Sequence, residues 1–83
     1  MAPKTHTTYR ELDVVPIPQD IPELGIEAGR RGTVDTVYTD GRGSRGLYVE
    51  VSREDGTTVG FVDLEVGEDG SLSLVAYTPF SSR

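Results

Sequence analysis

The chain has no cysteine and no tryptophan, and only one histidine and one methionine among its 83 residues. Without cysteine there is no disulfide, no thiolate metal site and no thiol nucleophile. A small core must then hold by packing alone, or with help from a partner or a second copy. The lone histidine, His6, lies in the polar stretch 1–8, with no neighbour that could hold it as a ligand or a base. No serine is therefore matched to a base, and a Ser-His mechanism has nothing to stand on. No apolar run approaches the ~20 residues of a spanning helix. No basic start followed by an apolar stretch reads as a secretory leader, so the expected setting is the cytoplasm, with no membrane partner. Positive charge is also scarce: 8 Lys and Arg stand against 14 Asp and Glu, a net charge of −6. Such a chain repels phosphate backbones at long range, which counts against general nucleic-acid binding and leaves only a local basic patch.

What is abundant is glycine, ten residues of it, and many turns in a short chain favour an all-β fold. The expected organisation is a flexible tail at 1–8, one domain at 9–80 and a short tail at 81–83. Leu12, Val14 and Val15 form a first strand, which Pro16 and Pro18 must end or confine to an edge. Asp20-Ile21-Pro22-Glu23 has a capping residue three places before a glutamate, the pattern of one short helical turn, and Gly25 can close it in a left-handed conformation. Residues 16–29 thus read as a long structured excursion before the second strand.

That second strand, 31–38, follows glycines at 25, 29 and 32 and alternates imperfectly. Val34 and Val37, three apart, both reach the core only if a bulge or bend falls near Asp35-Thr36. The glycine-rich loop 39–46 leads to a third strand at 47–53, with Leu47, Val49 and Val51 inward and Tyr48, Glu50 and Ser52 outward. An Asp-Gly hairpin turn, Glu54-Asp55-Gly56-Thr57, follows. The fourth strand, 58–66, shifts phase near Phe61. After Gly67-Glu68-Asp69-Gly70, a fifth strand at 71–77 places Leu72, Leu74 and Ala76 on one face and ends before Pro79. Asp-Gly pairs at 40, 55 and 69 are spaced like the turns of an antiparallel meander, but the residues between them do not repeat.

Five short strands with a long loop after the first look like a small five-stranded antiparallel SH3-like barrel. The stretch 25–38 resembles the KOW motif of that class, in which a glycine-containing loop enters a strand of the form Gly-x-Val-x-x-Val, here Gly32, Val34 and Val37. The wider frame resembles a family of short bacterial proteins known only as a domain of unknown function. Its matching residues are Glu11-Leu12-Asp13-Val14-Val15, Asp20-Ile21-Pro22-Glu23, Gly25, Gly29, Gly32-Thr33-Val34 and Val37-Tyr38. The similarity covers 9–66 and stops where an additional hairpin and strand begin. The resemblance implies a small barrel in a bacterial cytoplasm and brings no catalytic residues.

Five candidate contact residues stand out. Arg30 and Arg31, beside Gly29 and Gly32, place cations near backbone donors, as a phosphate site would. Arg42 and Arg45 lie in a mobile Arg/Gly loop, which can meet nucleic acid or an acidic protein surface. Tyr48 points out of its strand and is the best single anchor for a partner. The acids Asp63, Glu65, Glu68 and Asp69 lack the spacing of a calcium loop and read as a solvated sheet face and turn. No cofactor and no metal are expected. The function expected is a non-catalytic protein-binding module, an accessory subunit or the neutralising partner of another bacterial protein. The alternatives are a KOW-type nucleic-acid contact through the arginines, and a self-associating structural protein with paired strand edges.

Overall fold

The structure is a computed structural model that describes residues 9–39 and 41–80. The tails at 1–8, with His6, and at 81–83 lie outside the described residues. Five strands, β1 (Val14–Pro16), β2 (Arg31–Thr39), β3 (Arg45–Ser52), β4 (Thr58–Val66) and β5 (Leu72–Pro79), form one antiparallel sheet in the order β1-β2-β3-β4-β5. The fold is all-β with an SH3-like frame and a long first loop. The sheet is not closed by a β1–β5 ladder. Among the described residues no helix is long and apolar enough to cross a membrane.

The core face follows from alternation in β3. Leu47, Val49 and Val51 are buried, and their cross-strand neighbours Val34, Val62 and Leu64 are sealed from solvent with them. Val15, Ile17, Ile21 and Ile26 complete the core from β1 and the loop. Leu72, Leu74, Val37 and Tyr77 pack against its margin.

Three bulges let a short sheet curve around this core, because an extra residue on one strand bends it and increases the local twist. The first is where the spacing of Val34 and Val37 requires it: Val34 faces Val49 and Thr36 faces Tyr48, so Asp35 is the extra residue. The second is Val59 rather than Phe61, since Val51 faces Gly60 and Ser52 faces Thr58. Phe61 therefore points away from the core, while Gly60, Val62 and Leu64 point into it. The third is Val75, between Leu74 opposite Leu64 and Ala76 opposite Asp63. It reverses the phase of β5, so Ala76 does not share a face with Leu72 and Leu74, and Tyr77 takes the inward position instead.

The first strand is shorter than its apolar residues imply. Leu12 is 80% exposed with φ 77°, in a turn closed by Asp13 N–H to the Arg10 carbonyl at 3.1 Å and by Arg10 N–H to Asp13 Oδ2 at 2.9 Å. The excursion contains the expected single turn, a 3-10 segment at Pro22–Leu24, and Gly25 ends it at φ 69°. Asp20 does not cap it; the N-cap is Ile21, without a side-chain bond. Asp20 Oδ1 instead accepts Ala28 N–H at 2.8 Å, holding the two arms of the loop together, while Ile21 and Ile26 bridge through their backbones and bury their side chains.

Side chains span the open seam at both ends. The Tyr9 hydroxyl donates to the Gly70 carbonyl at 2.7 Å. At the other end Tyr77 faces Glu23, and partial burial followed by the Glu23 carboxylate pushes its hydroxyl above the ordinary value of 10.0.

The two later turns are the same structure written twice. Gly56 N–H reaches the Arg53 carbonyl at 2.9 Å, and Gly70 N–H reaches the Gly67 carbonyl at 3.0 Å. Both glycines have φ near +90°, 92° and 88°, a conformation that side-chain-bearing residues avoid. Asp55 Oδ1 accepts Thr57 N–H, and Asp69 Oδ1 accepts Ser71 N–H, each at 2.9 Å.

A Cβ at Gly60 would lie 2.6 Å from the Thr78 carbonyl oxygen and 3.2 Å from Pro79 Cα, both backbone. Gly60→Ala should cost about 1–3 kcal/mol in urea unfolding, whereas Gly41→Ala, with open space around it, should change stability by less than about 0.5 kcal/mol. The Thr57 backbone N–H, then the Thr57 hydroxyl, hold the Asp55 carboxyl below its ordinary 3.8. A depressed carboxyl stabilises the fold above that value and loses its contribution as pH falls through the folded value. Carbon-13 NMR titration should therefore place Asp55 below 3.8 in the native chain and closer to it in Thr57→Val.

Candidate functional site

The face of the sheet opposite the core carries most of the exposed chemistry. Cross-strand rows on it read Thr33, Glu50, Phe61 and Thr78; then Thr36, Tyr48, Asp63 and Ala76; then Tyr38, Gly46, Glu65 and Ser73. Tyr48 and Phe61 are diagonal neighbours on β3 and β4, and their rings stack 5.0 Å apart at 2°. Tyr38 lies flat over Gly46, so that a Cβ there would stand 2.5 Å from the tyrosine ring. The ring shelters a glycine that would otherwise leave the sheet bare. Its hydroxyl then donates to Asp63 Oδ1 at 3.3 Å.

Around these rings stand the carboxylates of Glu50, Asp63 and Glu65. Glu50 Oε2 accepts the Thr58 hydroxyl at 2.6 Å, which fixes its direction. A shallow cleft of about 210 Å³, lined by Tyr38, Ser44, Arg45, Gly46, Glu65 and Val75, opens beside them. Aromatic faces and carboxylates both attract cations.

The arginines divide into two groups rather than one. Arg30 is half-buried and donates through Nη2 to the Ser52 carbonyl at 2.8 Å, so it ties the loop to β3. Arg31 is exposed at the start of β2, opposite Pro16. Arg45 lies at the other end of that strand, opposite Thr39, with roughly 25 Å of strand between it and Arg31. The arginine pairs at 30–31 and 42–45 do not converge. Arg42 and Arg45 line an open cleft of about 740 Å³ whose far wall includes Glu68 and Asp69 of the β4–β5 turn. Carboxylates across that cleft offset the positive field of the loop.

Tyr48 is thus on the outward face, as alternation in β3 implies, with Phe61 as a companion that the residue pattern hid. The phase shift in Val59-Gly60-Phe61-Val62 has more than one solution, and only the bulge at Val59 assigns Phe61 to the outer side. Tyr38 is hidden for a related reason, since its facing residue is a glycine eight residues further along the chain and only the β2–β3 register brings them together.

A family model described as a domain of unknown function (DUF4926) matches residues 11–68. The matched segment runs from the turn before β1 to the β4–β5 turn, and β5 lies outside it. No curated protein and no solved structure matches the chain.

The ring stack is measurable by itself. A double-mutant cycle on Tyr48→Ala and Phe61→Ala should return a coupling of about 0.5–1.5 kcal/mol in unfolding free energy. A coupling of zero would mean that the rings do not stack in solution.

Proposed function

The chain belongs to the family of a domain of unknown function (DUF4926), so kinship brings no activity with it, and we propose from its geometry that it is a non-catalytic protein-binding module. In this reading it is an accessory subunit or a neutralising partner in a bacterial cytoplasm, and it engages a basic surface on another protein. The observation that carries the reading is the Tyr48–Phe61 stack on a sheet face that no other element among the described residues covers, among Glu50, Asp63 and Glu65. Stacked rings supply rigid apolar area at low entropic cost, and carboxylates around them select a cationic partner. The bonds that Glu50 and Asp63 accept from Thr58 and Tyr38 hold those charges in place before a partner arrives, which lowers the ordering cost of binding.

Nucleic-acid contact through the KOW-like stretch has less support. Arg30 is engaged with Ser52, and the other arginines lie at opposite ends of β2, one group facing carboxylates.

The test is affinity purification from the native host with wild-type bait and two folded variants, Tyr48→Ala and Glu65→Lys, read by mass spectrometry. A partner with a basic surface should bind the wild type and weaken as salt rises. Tyr48→Ala should reduce its recovery at least tenfold, as loss of an interface anchor does, at about 2 kcal/mol or more, and Glu65→Lys should reduce it further at low salt than at high salt. Equal recovery on all three baits would remove the reading.

A further inference from the structure

The two edges of the open sheet are protected unequally. β1 has three residues, ends on Pro16 and is followed by Pro18. A proline has no N–H to offer, so this edge resists extension. β5 has eight residues, and between Gly70 and Arg83 the sequence contains no charged side chain at all. Edge strands in soluble proteins are ordinarily guarded by charge, proline, brevity or a bulge that twists the edge away, and β5 has one such bulge, at Val75. Here Pro79 guards only the last position. The rest, Leu-Ser-Leu-Val-Ala-Tyr-Thr, is strand-forming and neutral, and Val75 is 63% exposed with Phe80 49% exposed just beyond the strand.

We infer that β5 is the pairing edge of a homodimer, in which two copies align this strand antiparallel about a twofold axis near Val75 and join their sheets into one of ten strands. A second copy is the occupant for three reasons. Antiparallel pairing of a strand with itself is isologous and closes on two copies. Each chain carries a charge of −6, and β5 is the neutral strand along which two such chains can meet without opposing carboxylates at the seam. The proline-blocked β1 edge then stops the assembly at two copies instead of letting it grow as a fibre. A cationic strand from another protein would find no carboxylate on β5 to recognise. Val75 stands near the middle of this edge and is 63% exposed, so a twofold axis there brings it against its twin. The dimer leaves the Tyr48–Phe61 stack open on both copies, although Val75 also lines the small cleft beside it, so the inference does not depend on the reading above.

Light scattering and sedimentation equilibrium on the full chain should give twice the chain mass at high concentration. Val75→Lys, and independently Ser73→Lys, should give the chain mass with an unchanged far-ultraviolet circular dichroism spectrum. Because the chain is free of cysteine, Val75→Cys should form a disulfide-linked dimer on mild oxidation, and Gly41→Cys should not. A wild-type chain that stays monomeric across the concentration range would overturn the inference. So would a dimer that survives both lysine variants, or one lost with Tyr48→Ala. If both lysine variants unfold, the cross-linking comparison decides: equal linkage at positions 75 and 41 rejects β5 as the seam.

Discussion

The constraint on which the rest depends is the aliphatic strip along β3. Leu47, Val49 and Val51 are all closed to solvent, with Val34 on one side and Val62 and Leu64 on the other. A chain this short has little other apolar mass, and without disulfides this strip must supply most of the driving force for folding. A flat sheet of five strands could not bury one face under so few residues. The bulges at Asp35, Val59 and Val75 bend the strands until the loop residues Ile17, Ile21 and Ile26 can close the core from the other side.

The same bends create the outer face. Each extra residue resets which side chains point out, so that Phe61 lies beside Tyr48 and Ala76 opposite Asp63. Core packing and the candidate site are two readings of one alternation, since period two sends every other residue to the opposite face. What is sealed inward is almost wholly aliphatic. What is presented outward is aromatic and acidic. Tyr9 and Tyr77 are different: they sit at the ends of the open seam, tied to Gly70 and facing Glu23, and their rings serve closure rather than contact.

The arginines show how charge counted along a chain differs from charge in space. Five arginines between residues 30 and 53 look like a basic region in sequence. In the fold one is bound to a backbone carbonyl, two face an acidic turn, and the groups are parted by the length of β2. Field strength falls with distance and with opposite charge nearby, so the basic segment yields no single basic surface.

Local chemistry was enough to determine the strand count, the meander, the Gly25 stop, the bulge at Asp35-Thr36 and the two Glu-Asp-Gly turns, because each rests on neighbours within a few residues. The first strand is not legible at Leu12, since an exposed leucine in a turn looks the same in sequence as a buried one in a strand. The short helix is legible in the sequence but its cap is not, because Asp20 accepts from Ala28 N–H across the loop instead. Where two phases were compatible with the residues, as at Phe61 and Ala76, the choice belonged to cross-strand register, which is long-range. Tyr48 could be assigned from its own strand. Its stack with Phe61, the shelter of Gly46 by Tyr38 and the separation of the arginines were decided only by tertiary structure, because each depends on which residues of different strands stand side by side, and alternation within one strand carries no information about its neighbour.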